Sequence, residues 1–322
     1  MIIKTIAILG GTGFVGRHLV NALSGQDYRI RVLTRRRERH RELLVIPTLD
    51  LIESDVHDPV ELTRQLVGCD AVINLVGILN ERGDDGSGFR HAHADLARQV
   101  VEACRRNPVH CLLHMSALNA DAKAGPSHYL KTKGEAEDLV HQAAGEGLRI
   151  TSFRPSVIFG PDDSFFNRFA RLLRFSPYFF PLACPRSRFA PVYVTNVVEA
   201  FMQALEDPAT AGRRYDLCGP KQYTLQELVA YTATCLHLRR RILPLNERLS
   251  YLQAQVLERI PGKPMSLDNY RSLQVPSVCQ GESGLAVLGI EPVAIEAVVP
   301  AYLQKQHQRA RYRVLRTFAR RR

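Results

Sequence analysis

The chain has 322 residues, with 43 Lys plus Arg against 32 Asp plus Glu and a formal net charge of +11. A composition of 45% apolar and 23% charged residues is that of a globular protein with a core, and it excludes collagen, a disordered tail protein and a small disulfide scaffold. No apolar run reaches the ~18–20 residues that cross a bilayer as a helix, and the positive excess points to nucleic acid, an anionic membrane surface or a phosphorylated ligand.

In chain order, strand-length apolar runs lie at 5–9, 30–33, 49–53, 71–76, 111–116 and 150–153. Helical patterns lie between them at 15–23, 59–66, 93–105 and 129–144. This alternation predicts an α/β fold, a Rossmann-type doubly wound parallel sheet with helices on both faces. From 161 the regularity stops, apart from one more strand-and-helix unit at 191–205. A smaller, mixed substrate or cap domain is predicted there. The expected division is 1–156 with 189–215 for cofactor binding, 157–188 with 216–302 for the cap, and 303–322 as a basic tail. Residues 305–322 hold eight Lys or Arg and no acid, which leaves 35 basic against 32 acidic residues elsewhere. As a helix this tail is amphipathic and suits an anionic membrane surface or an acidic protein partner; the alternative is a disordered, solubilising tail.

The seven Cys residues, at 69, 104, 111, 184, 218, 235 and 279, are scattered with no CxxC. They predict isolated reduced thiols. The first residues read as a strand rather than a signal peptide, so a cytoplasmic protein is expected, with the inner-membrane periphery as an alternative place.

The strongest motif is Gly10, Gly11, Thr12, Gly13, Phe14, Val15 and Gly16, directly after the first strand and opening a helix. Glycines there permit a sharp turn and a close approach to a pyrophosphate, which meets the helix N-terminus. After the second strand come Thr34, Arg35, Arg36 and Arg37, with no acid placed to bind two ribose hydroxyls. The arginines suit a 2′-phosphate, so NADP(H) is favoured and NAD(H) is the alternative. Asp55 and Val56, after the third strand, are placed for adenine. Leu75, Val76 and Gly77 let a cofactor pass the end of the fourth.

Tyr129 and Lys133 are four apart and share one helix face. A neighbouring ammonium is expected to lower the Tyr129 pKa toward neutrality, fitting it for proton exchange with a carbonyl or alcohol. Ser116, ending the fifth strand, is the candidate ligand of the substrate oxygen. These three are the predicted catalytic residues. No metal site is expected. His110 and His114 on a strand are ~13 Å apart, and His91 and His93 on a helix face different ways. Phe165, Phe166, Phe169, Leu172 and Leu173 share a helical face, read as the core of the second domain with a substrate wall or membrane-facing helix as the alternative. The stretch 83–88, rich in glycine, is either a lid over the cofactor or a plain loop.

The glycine motif, Ser116, the Tyr129/Lys133 pair and the run from Arg154 to Pro161 together resemble the extended and atypical short-chain dehydrogenase/reductases, which are NAD-dependent epimerase/dehydratase-like. Residues 116–120, 159–169 and 215–220 resemble the subgroup that contains the NADPH-binding accessory subunit of respiratory complex I and its bacterial relatives. The similarity runs to about residue 303. It implies catalytic or ribose-binding roles for Tyr129 and Lys133, and that Pro155, Ser156, Val157 and Ile158 line the nicotinamide amide. His93 stands where many such dehydrogenases have Asn, and Asn196 where an acid is usual.

Two functions follow. One is an NADP(H)-dependent oxidoreductase acting on a small, lipophilic or quinone-like carbonyl substrate. The other is a non-catalytic NADPH-holding subunit or assembly factor of a respiratory or quinone-making complex. Nucleic acid is not an expected partner: the basic tail holds only Tyr312 and Phe318 as aromatics and no recognisable binding module.

Overall fold

Continuous apolar runs become strands buried on both faces. The computed structural model describes residues 3–145 and 147–304. Seven parallel strands form one sheet: β1 (Thr5–Leu9), β2 (Arg29–Thr34), β3 (Leu49–Glu53), β4 (Ala71–Asn74), β5 (Cys111–Met115), β6 (Arg149–Pro155) and β11 (Arg214–Leu217). Their order is β11-β6-β5-β4-β1-β2-β3. The chain starts at β1, builds outward to β3, then crosses back to β4. The reversal between β1 and β4 opens a crevice at the carboxyl ends of these strands, where ligands bind in open α/β sheets.

Side chains of β1 alternate between two apolar layers. Ile6 and Ile8 join Leu19, Val20 and Phe201 on one face, where α1 (Phe14–Ser24) packs with α7 (Val194–Glu206). Ala7 and Leu9 join Leu62, Val100 and Ile150 on the other. There α2 (Pro59–Gln65), α4 (Leu96–Arg106) and α5 (His128–Gln142) cover the sheet. Each such Leu or Ile contributes about 1.5–3 kcal/mol by leaving water.

The helix expected at 93–105 begins earlier. It runs as α3 (Ser87–Arg90), a π-helical turn His91–Asp95, and then α4. Glu81 organises its start by accepting the N–H groups of Gly86, Gly88 and Phe89 at 2.8, 2.9 and 3.2 Å. The end of the glycine-rich stretch 83–88 is therefore helical.

Beyond β6 the elements are short. β7 (Ile158–Phe159) pairs with β10 (Val192–Tyr193), β8 (Phe179–Leu182) with β13 (Arg241–Pro244), and β9 (Arg188–Phe189) with β12 (Tyr223–Thr224). Helices α6 (Phe166–Phe175) and α8 (Leu225–Cys235) pack together through Phe166, Leu173, Leu228 and Val229, with Val299 and Leu303 from the last described helical residues. The aromatic stripe of α6 thus faces the core, with Phe165, Phe169 and Leu172 only partly buried. The remaining helices are α9 (Glu247–Glu258), α10 (Leu267–Ser272) and α11 (Gly284–Val287). Among the described residues no helix is long and apolar enough to cross a membrane. The basic tail lies outside the described residues from 305 on.

One expectation is corrected. Cys218 and Cys279 form a disulfide across a sequence separation of 61, tying the end of β11 to the segment after α10. Count and local spacing hide such a pair, because the fold, not the sequence, brings the two thiols together. Cys69, Cys104, Cys111 and Cys235 are buried free thiols, and Cys184 is partly buried.

Candidate functional site

The turn after β1 requires glycine twice. Gly10 has φ +78°, and a Cβ there would lie 3.1 Å from the backbone of Leu75 and Val76. A Cβ on Gly16 would sit 2.4 Å from the Gly10 carbonyl oxygen. Side chains at these positions would push the helix start away from β1 and β4. Gly13 is the N-cap of α1 and supplies no side-chain oxygen. The first-turn N–H groups of α1 are left for a ligand at the positive end of the helix, beside Thr12, Phe14 and Val15.

At the end of β2, Thr34 is buried and Arg35, Arg36 and Arg37 are exposed. Among the described residues none of the three guanidinium groups makes an ion pair. Only the Arg37 backbone meets an acid, donating its N–H to Glu53 at 2.9 Å. Asp55 is exposed and accepts the His57 N–H at 3.0 Å, and Val56 beside it is buried. These groups follow β2 and β3 at the carboxyl ends of those strands.

Lys133 lies deep in the middle. Its ammonium donates to the carbonyl oxygens of Val76 at 3.2 Å and Met115 at 3.0 Å, so it bridges the ends of β4 and β5. Gly77 makes room: a Cβ there would be 3.0 Å from Lys133 Nζ. Burial pulls the Lys133 pKa down to about 8, partly opposed by Glu137. Tyr129, one turn earlier, stands edge-on to His93 and Phe89, with ring centroids 5.6 and 6.1 Å away. Its phenol is pushed up to about 12 by burial. This corrects the expected fall toward neutrality, since Lys133 turns its charge onto two carbonyls rather than the phenol.

His93 is buried in the π turn. Its Nε2 accepts the Ile78 N–H at 3.1 Å, and its Nδ1 meets the Thr132 hydroxyl at 2.9 Å. That hydroxyl already donates to the His128 carbonyl at 2.8 Å. The arrangement is satisfied by one neutral tautomer, protonated on Nδ1. Burial and, next, the Lys133 charge hold the His93 pKa down to about 2.

Ser116 is buried, and its hydroxyl donates to Glu137 at 3.1 Å. Arg154 Nε donates to both Glu137 oxygens, at 3.0 and 2.8 Å. The single proton of Ser116 is therefore directed at Glu137 in this structure. Pro155 ends β6. Ser156 donates to the Ser277 carbonyl at 2.6 Å, while Val157 and Ile158 are partly buried. Asn196 is structural: it donates to the Glu291 carbonyl and accepts the Val293 N–H, each at 2.9 Å.

The structure thus gathers the glycine turn, Leu75–Gly77, Tyr129 and Lys133 around the strand ends. A separate cavity of about 290 Å³ is lined by Asp85, Arg90, His128 and Lys131 among others; it includes part of the 83–88 stretch but none of the candidate catalytic or cofactor-binding residues. Among the described residues no group of three or more His, Cys, Asp or Glu side chains is gathered as a metal site. Two contributors escaped the sequence reading. Glu137 follows Lys133 by one helical turn, a spacing that could have revealed it. Asp268 caps α5 from 139 and 140 residues away, accepting the Tyr129 and His128 N–H groups at 3.1 and 2.7 Å, and no local pattern signals it.

An uncapped helix start, unpaired arginines and a buried ammonium fit an anionic dinucleotide. Comparison with known proteins agrees in fold and family. Residues 6–218 match the NAD dependent epimerase/dehydratase family. The chain is 28% identical over 313 residues to the 40 kDa subunit of mitochondrial NADH-ubiquinone oxidoreductase of Neurospora crassa, covering 96% of this chain and 81% of that protein. It is 30% identical over 243 residues to a ceramide reductase of Caulobacter vibrioides, covering 74% and 73%. The structure of MoeE5 in complex with UDP-glucuronic acid and NAD superposes with a TM-score of 0.74 at 18% identity, covering 95% of this chain and 100% of that one. The chain belongs to the NAD dependent epimerase/dehydratase family.

Proposed function

We propose that this protein binds NADP(H) and reduces a small, lipophilic or ring-containing carbonyl compound. The observation that carries the reading is Lys133, a buried ammonium held by Val76 and Met115 on the helix that presents Tyr129. The glycine turn and the start of α1 hold the pyrophosphate. Arg35 and Arg36, with Arg37 beside them, hold the 2′-phosphate. Asp55 and Val56 border the adenine. Lys133 holds the nicotinamide ribose, and Pro155 to Ile158 border its amide. When bound, the nicotinamide would supply a hydride for the carbonyl carbon. Tyr129 gives its phenolic proton to the carbonyl oxygen, so the product is the alcohol. A phenol held near 12 stays protonated at neutral pH, which suits donation in the direction of reduction. The ceramide reductase among the relatives supports a lipophilic substrate.

A second reading is favoured by Ser116. With its proton committed to Glu137, the usual oxygen ligand is missing, as suits a subunit that holds NADPH without turnover. The complex I relative supports it. Tyr129→Phe separates the two. The reductase reading expects NADPH binding to persist and ketone reduction to fall by roughly 100-fold or more. Equal activity of variant and parent toward every ketone tested would sink it.

A further inference from the structure

The end of α6 carries an exposed aromatic edge. Phe175 is 83% exposed, Tyr178 74% and Phe179 54%. Scattered apolar residues on a surface are ordinary, but contiguous large ones mark an interaction site. The edge is fixed in place. The Ser176 hydroxyl donates to the Phe179 carbonyl, and β8 pairs with β13. The Arg241 N–H donates to the Tyr178 carbonyl at 3.0 Å, and Arg240 Nε to the Leu173 carbonyl at 3.2 Å. Backbone pairing therefore sets Arg239–Arg241 beside the aromatics. Leu243, two residues on and on the same face as Arg241, is 43% exposed. Helix α9 lies alongside, with the Gln253 amide donating to the Pro181 carbonyl at 3.1 Å. It leaves Leu249, Leu252 and Val256 exposed on one face.

Charge identifies the occupant. Residues 164–188 and 236–246 contain arginines and no acid. Arg171, Arg174, Arg239 and Arg241 are exposed, and among the described residues none makes an ion pair. Residues 305–322 carry only positive charge, which argues against them as the cover. Aromatic tips among unpaired arginines match the headgroup region of an anionic bilayer, where rings sit at the interface and guanidinium groups meet phosphates. We propose that the edge formed by the end of α6, β8 and β13 docks on an anionic lipid surface. This proposal stands independently of the carbonyl reductase reading.

The test is co-sedimentation of the full chain with phosphatidylcholine vesicles, with and without phosphatidylglycerol. The expected result is pelleting that requires phosphatidylglycerol. The double variant Phe175→Ser/Tyr178→Ser should weaken it by roughly tenfold or more. Arg239→Gln/Arg241→Gln should weaken it by roughly thirtyfold at low salt. All four side chains are exposed or at the edge, so melting temperatures should match the parent. Both variants pelleting like the parent would overturn the proposal and place lipid binding elsewhere. No pelleting with either vesicle would overturn it too, in favour of an acidic protein partner or, with concentration-dependent self-association, a second copy.

Discussion

Ser116 donates its hydroxyl to Glu137 across 3.1 Å, and Glu137 lies one turn beyond Lys133 on α5. The helix that presents Tyr129 therefore also carries the carboxylate that accepts the Ser116 proton. Arg154 neutralises this carboxylate from β6, with Arg214 Nε at 3.8 Å. Glu137→Gln should cost about 2–3 kcal/mol in urea unfolding. That is less than the ~3–5 of a fully buried broken pair, because Arg154 retains partial exposure. Ser116→Ala should alter turnover by less than roughly tenfold. A larger loss would return Ser116 to the substrate oxygen.

The arginines after β2 should set cofactor choice. Each charge-assisted hydrogen bond contributes about 1.5–3 kcal/mol, so Arg35→Ser/Arg36→Ser, which removes two of them, should weaken NADPH binding by roughly 100-fold or more. NADH binding should change little. Calorimetric titration with both nucleotides checks this, and equal losses for the two would deny the arginines a phosphate contact.

Acid should destabilise the fold through His93. Its folded pKa of about 2 lies below its ordinary 6.5, so the unfolded chain takes up a proton that the folded chain refuses. Stability is present above about 6.5 and falls with decreasing pH, by about 2 kcal/mol near pH 5 from this residue alone. His141, held at about 4 chiefly by burial, acts in the same direction with a smaller effect because it is more exposed. Lys133 acts in the same direction at higher pH. Its folded pKa of about 8 lies below 10.5, so its contribution to stability rises with pH between those values. Urea midpoints measured across pH should fall on the acid side, and His93→Phe should flatten that fall while lowering stability near neutrality.

Most of the sheet was legible in the sequence, because apolar runs such as 71–76 announce buried strands and the glycine motif marks the first crossover. Strand ends were less so: Leu75–Gly77 leaves β4 to meet the glycine turn and Lys133, although it is as apolar as the strand itself. Tyr129 and Lys133 were legible as a pair. Their electrostatics were not, since burial and the two carbonyls that hold Lys133 depend on tertiary packing. The link between Asp268 and the start of α5, and that between Cys218 and Cys279, join distant segments and leave no local spacing to read.

The disulfide makes its own prediction. Closing a loop between residues 61 apart restricts the unfolded chain, a contribution of about 2–4 kcal/mol. Cys218→Ser/Cys279→Ser, or full reduction of the parent, should lower the urea midpoint correspondingly. An unchanged midpoint would show that the bridge does not form in solution.

The most direct measurement is isotope transfer from NADPH deuterated at the transferable nicotinamide position. The purified chain is incubated with lipophilic ketones and the alcohol products are weighed by mass spectrometry. The expected alcohol carries one deuterium on the carbinol carbon with the parent chain and loses that label with Tyr129→Phe. NADPH recovered bound and unoxidised with every ketone would contradict it.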